Sequence, residues 1–190
     1  MTSAEHASGT DRVAEAASDL RYDIIVNVQG DEPLIRPEVI DAAILLLEED
    51  SRPDIGTVAS PITEGGDIGN PNVVKAVIGQ EGFALYFSRA PVPYHRDAWG
   101  SLEQIAKGDA EGSGLFKHVG IYSYRRVALM RLASLSPSPL EETEKLEQLR
   151  ALEDGMRIKV AVMEYESIGV DTPEDLERLQ SSFREQGGQG

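Results

Sequence analysis

Ile24-Ile25-Val26-Asn27-Val28-Gln29-Gly30-Asp31-Glu32-Pro33 is the stretch on which the fold turns. An apolar β-branched run, Ile24 to Val28, stops at a turn glycine, two carboxylates and a proline. Short runs rich in Val and Ile read as buried strands of a parallel sheet. Ligands of open α/β sheets sit just beyond the carboxyl ends of the strands. A carboxylate placed there, Asp31, can hold Mg²⁺ and so help bind substrate phosphates. The competing reading is a plain turn, since Asp and Gly after a strand are ordinary turn chemistry.

On the N-terminal side of this run, Asp11 to Leu20 has a helical pattern with Ser8 or Thr10 available as N-cap. On the other side, Val39, Ile40, Ala43, Ile44 and Leu47 recur at helical spacing, predicting a helix from about Arg36 to Asp50. Ile55 to Ala59 reads as a strand and Thr63 to Pro71 as a Gly- and Asp-rich loop. Val73–Ile78 and Phe83–Phe87 form a hairpin across Gly79-Gln80-Glu81-Gly82. Arg89 to Gly114 reads as loop. His118 to Tyr124 alternates as a strand, and Val127–Leu135 and Leu140–Glu153 read as helices, with Gly155 a stop signal. Ile158 to Met163 is a further strand, Thr172-Pro173-Glu174-Asp175 opens a last helix, and residues 186–190 are a flexible tail. The order of elements predicts one three-layer α/β domain over residues 1–190 with an antiparallel subregion.

Composition narrows the function. The formal net charge of −15 argues against a general nucleic-acid or membrane-surface binder. It leaves room for an anionic small substrate, because a few local cations or a metal ion can reverse the potential inside a cleft. With no cysteine, neither a disulfide framework nor a zinc-thiolate site is possible. No apolar run approaches the length of a membrane span, and the first twenty residues lack the features of a signal peptide, so a cytoplasmic protein is the expectation.

Several residues could carry chemistry. Asp171 either caps the helix that follows or, if Thr172 is the cap, is free to share one Mg²⁺ with Asp31, an arrangement suited to phosphoryl or nucleotidyl transfer. Alternation places His118, Gly120, Tyr122 and Tyr124 on one strand face, where His118 and Tyr122, roughly 13 Å apart along the strand, could both reach a polyhydroxy ligand. Glu147 lies opposite the Leu146, Leu149 and Leu152 stripe and Gln148 on its flank, positions that are ordinarily a solvated face and matter only if that face borders a cleft. Arg89 suits bidentate capture of a carboxylate or phosphate, with a surface salt bridge as the alternative. Lys75 sits in a strand that reads as core, so its ammonium must reach an edge or a ligand.

Seven stretches together resemble one family: His6–Arg12, Val26–Pro33, Asn70–Lys75, Ala84–Arg89, Lys117–Tyr122, Glu144–Glu153 and Tyr165–Asp175. The chain is similar over nearly its whole length to the 3-deoxy-D-manno-octulosonate (Kdo) cytidylyltransferases. The resemblance implies a three-layer, Rossmann-like mixed sheet of the nucleotide-diphospho-sugar-transferase type with an antiparallel dimerisation and sugar-binding subregion. It implies a cytoplasmic homodimer that makes CMP-Kdo and diphosphate from CTP and Kdo for lipopolysaccharide, with no nucleic-acid or membrane partner. By this resemblance Asp31 and Asp171 are the catalytic Mg²⁺ ligands. Ser8, Gly9, Thr10, Arg12 and Gln29 border the nucleotide, and Arg89, His118, Tyr122, Glu147 and Gln148 line the sugar-acid pocket. Family members carry a first strand and a triphosphate-cradling loop ahead of the stretch that starts at His6. The chain is therefore expected to be an N-terminally truncated member that binds CTP poorly on its own. The alternatives are a cytidylyltransferase for a related acid, 8-amino-Kdo or a nonulosonic acid, and an inactive fragment that serves as a dimerising or binding module.

Overall fold

The computed structural model describes residue 2 and residues 9–30, 32, 34–96 and 114–166. Asp31, Asp171, Ser8, the helix expected after Thr172 and the tail lie outside the described residues.

Among the described residues twelve elements follow in order: α1 Gly9–Ala17, β1 Ile24–Asn27, α2 Pro37–Glu48, β2 Ile55–Pro61, α3 Gly65–Gly69, β3 Lys75–Ile78, β4 Ala84–Ser88, β5 Phe116–Arg125, α4 Arg126–Ser134, α5 Pro139–Glu144, α6 Gln148–Glu153 and β6 Ile158–Val162. The ten-residue β5 is the axis of the sheet. One edge of β5 pairs with β2, which pairs in parallel with β6. Its C-terminal half also pairs with β1, from Ile24 opposite Arg125 to Asn27 opposite Tyr122. Its N-terminal end pairs with β3, which leads to β4.

Strand alternation sorts side chains to two faces. Val58 of β2 and Val119 and Ile121 of β5 pack with Val39 and Ala43 of α2. Ile55, Ala59, Tyr122 and Tyr124 face the other way, onto Ala14 and Ala17 of α1, Leu129 and Leu132 of α4 and Leu149 of α6. The three layers expected from the sequence are therefore α2, the sheet, and the α1/α4/α6 group. Gly56 lets the first two meet closely: a Cβ there would lie 2.5 Å from the Ala43 carbonyl oxygen and from Ser123 Oγ, closer than real contacts allow.

Three details differ from the sequence reading. The run Ile24–Asn27 is a strand, but it is half-buried and antiparallel to β5, because alternation and β-branching specify a strand without specifying its neighbour. The helix expected over 140–153 is two, α5 and α6, broken where Lys145 takes φ 55° and ψ 48°. A left-handed residue cannot continue a right-handed helix. The loop expected over 63–71 contains the short α3.

Candidate active site

A cavity of about 330 Å³ opens between the sheet and the α1/α4/α6 layer. Its walls bring together residues far apart in sequence: Thr10 from α1, Asn27 and Gln29 at the end of β1, Tyr122 and Tyr124 from β5, and Arg89 after β4. Lys145, Glu147 and Gln148 close it from the α5–α6 junction. Six of the residues singled out from the sequence, Thr10, Gln29, Arg89, Tyr122, Glu147 and Gln148, therefore share one space.

The break at Lys145 puts the last two there. In one continuous helix Glu147 and Gln148 would face solvent; with the chain reset at Lys145, Gln148 is 7% exposed and Glu147 half-buried. A capping box at Ser138 starts α5: Ser138 Oγ accepts from the Glu141 N–H, and Glu141 Oε2 accepts from the Ser138 N–H at 3.1 Å. Buried Arg150 then pairs with Glu141 at 3.0 Å and donates to the Leu135 carbonyl at 2.9 Å, tying α6 to α5 and to the end of α4.

Arg89 is held in place by main-chain oxygens. Its Nε donates to Glu144 O at 2.7 Å and its Nη1 to Pro71 O at 2.8 Å. The Glu144 carboxylate accepts from Ser88 Oγ at 2.6 Å and from the Arg89 N–H at 3.0 Å. Lys75, fully buried, donates to Asn70 O at 2.9 Å and Val73 O at 2.6 Å. Its ammonium thus shapes the turn that presents Pro71 to Arg89, which settles where it goes: to carbonyls. Burial lowers its pKa from the ordinary lysine value.

On β5 a bulge changes the expected spacing. The pairing runs from Thr57 opposite Tyr122 to Ala59 opposite His118, so β5 carries extra residues there, with Gly120 at φ +62°. A regular strand would space the two backbones by roughly 13 Å, yet the rings of His118 and Tyr122 lean together to 5.1 Å. Tyr122 and Tyr124 stack at 5.8 Å, and His118 meets Phe87 edge-on at 5.1 Å. His118 does not line this cavity; its ring stands against Tyr122, which does. The Thr57 hydroxyl donates to Ile121 O at 2.6 Å and lies 2.8 Å from His118 Nε2. Its one proton is committed to the carbonyl, so Nε2 carries the proton of that hydrogen bond. Burial pushes the imidazole pKa down to about 4. Burial likewise raises both tyrosine hydroxyls, helped in each case by the Glu147 carboxylate.

Gly9 and Arg12 are exposed at the start of α1 and do not line the cavity. The sequence reading assigned no role to Asn27, Tyr124 or Lys145. Asn27 had a signal, a polar residue inside a β-branched run, and Tyr124 shares its strand face with Tyr122; Lys145 had none. Among the described residues no group of three or more His, Asp or Glu is placed to hold a metal. Gln29, two residues before Asp31 in the chain, lines the cavity.

A family model described as cytidylyltransferase matches residues 1–158. This chain is a member of the cytidylyltransferase family. Among its relatives, the 3-deoxy-manno-octulosonate cytidylyltransferase of Geotalea daltonii is 53% identical, the match covering 98% of this chain and 74% of the relative. That of Geotalea uraniireducens is 55% identical over 94% of this chain and 71% of its own. A solved structure of CMP:2-keto-3-deoxy-manno-octonic acid synthetase complexed with CTP superposes with a TM-score of 0.85 at 36% identity, covering 98% of this chain and 72% of that one. The inositol-1-phosphate CTP transferase of T. maritima, at TM-score 0.55 and 15% identity, shares the fold with this cytidylyltransferase. Among the described residues, no helix of the cytidylyltransferase is long and apolar enough to cross a membrane.

Proposed function

We propose that this cytidylyltransferase activates Kdo with CTP, forming CMP-Kdo and diphosphate for lipopolysaccharide assembly. The observation that carries the reading is the cavity. Its polar lining of Gln29, Arg89, Tyr122, Glu147 and Gln148 supplies a cation, a hydroxyl, a carboxylate and two amides suited to a polyhydroxy acid beside a nucleotide.

In the reaction the anomeric hydroxyl oxygen of Kdo bonds to the α-phosphorus of CTP and releases its proton to water, the bond from that phosphorus to the bridging oxygen breaks, and diphosphate leaves. Arg89 and Lys145 face the negative charge of the acid, while Glu147 accepts from sugar hydroxyls and the amide of Gln148 donates or accepts. Holding both reactants in line supplies much of the rate. His118, with its pKa near 4, is not the base; it fixes Tyr122 through ring contact. Asp31 and Asp171 are proposed as Mg²⁺ ligands, and the cation when bound lowers the charge on the α-phosphate. The working form is proposed to be a cytoplasmic homodimer.

The test is formation of CMP-Kdo from CTP, Kdo and Mg²⁺ by the 190-residue chain, followed by chromatography, with Asp31→Asn as control and 8-amino-Kdo and a nonulosonic acid as competing acids. CMP-Kdo formed by the wild type and lost in Asp31→Asn supports the reading. A preference for another acid, or no difference between the two proteins, overturns it.

A further inference from the structure

Helix α1 turns one face inward, and that face is not wholly apolar. Thr10, Ala14 and Ala17 fall at helical spacing and are all buried. Thr10, at 2% exposure, is the polar member, and a buried hydroxyl without a partner would be strongly unfavourable. Its partner is not on the helix. Thr10 Oγ1 donates to Glu147 Oε2, 137 residues along the chain. A proton given to an ionised oxygen makes a hydrogen bond about twice as strong as a neutral one. Both residues line the cavity, with Tyr124 beside them.

We propose that Thr10 is a positioning residue for the sugar acid, acting through Glu147, and not a nucleotide contact. A carboxylate has two oxygens and can rotate to offer either. With Oε2 held by the hydroxyl of α1, Oε1 is the acceptor left for a hydroxyl of the sugar, at a fixed angle. The bond also ties α1 to the start of α6, so the two sides of the cavity keep their spacing. This inference rests on the reading of the cavity as the site for Kdo.

The experiment measures separate KM values for Kdo and CTP, and kcat, in the wild type, Thr10→Val and Thr10→Ser, with circular dichroism as a check on folding. Thr10→Ala replaces the valine variant if that one does not fold. Losing a hydrogen bond to a charged group predicts a Kdo KM raised about tenfold or more in Thr10→Val, with the CTP KM unchanged and Thr10→Ser close to wild type. In a Glu147→Gln background Thr10→Val should add much less than it does alone. A rise in the CTP KM instead, a serine variant as impaired as the valine one, or full additivity with Glu147→Gln overturns the inference. A wild-type chain that forms no CMP-Kdo overturns the functional reading and this inference together. Ordinary wild-type kinetics with an unaffected Thr10→Val sinks the inference alone.

Discussion

At His118 burial sets the protonation state. The ring lies against Phe87 and Tyr122 and donates its Nε2 proton to Thr57, and burial keeps it neutral through the physiological range. The unfolded chain takes up a proton near the ordinary 6.5, which the folded chain refuses until about pH 4. The contribution to stability is therefore complete above pH 6.5 and is lost as the pH falls through that window. Of the three histidines in the chain, one should show a ring carbon-bound proton whose NMR signal stays put from pH 8 down to about 5.5 and moves only below that. The signal should vanish in His118→Gln. A His118 resonance with its midpoint near 6.5 would remove the argument for a neutral ring.

The helix pair α5–α6 shows what an element gains from a break. Lys145 adopts the left-handed conformation, which disfavours a side-chain-bearing residue by roughly 1–2 kcal/mol. Glycine would relieve it, yet Lys145 also puts a cation on the cavity wall. Lys145→Gly is expected to raise the unfolding free energy by about 1 kcal/mol in urea titrations while raising the KM for the acid. A variant that loses stability, or that binds the acid as before, contradicts this. The same element marks where sequence reading stops. The stripe Leu146, Leu149 and Leu152 was legible, and the burial of Leu146 and Leu149 follows it. A single left-handed lysine leaves no trace in periodicity, so the inward turn of Gln148 could not be read. Thr10 was legible as a helix-terminal residue, but its place on the buried stripe with Ala14 and Ala17 becomes informative only once Glu147 is known to lie opposite. The β3–β4 hairpin was read correctly because Gly79 and Gly82 are local signals. The antiparallel pairing of β1 was not, because partner choice is a long-range property.

At the scale of the whole molecule, the sheet returns to its own far edge. The tip of the β3–β4 hairpin reaches β6, where the Val160 N–H donates to Gly82 O at 2.8 Å and Phe83 bridges Lys159. Three cations gather around the Phe83 ring: Arg157 at 4.0 Å, Lys159 at 5.3 Å and Arg52 at 5.4 Å from its centroid. Their mutual repulsion is offset by Asp50, which takes Arg52 at 2.8 Å and Lys159 at 2.7 Å, and by Glu81, which takes Arg52 at 2.6 Å. Hydrogen bonds from Arg52, then Lys159, hold the Asp50 carboxyl well below the usual carboxylate range. The ring face adds attraction for the cations beyond its apolar area. Because this contact joins the β3–β4 hairpin to the last described strand, it bears on stability more than on the cavity, which lies at the Ser88 end of β4. Phe83→Ala should lower the unfolding free energy by about 2 kcal/mol, and Phe83→Leu, which keeps apolar bulk and loses the ring, by about 1 kcal/mol. Both should unfold in one transition, and the Kdo KM should change little. Urea titrations at neutral pH decide the order: equal losses for alanine and leucine would assign the contact to apolar area alone, and no loss for alanine would mean that the hairpin closes without the ring.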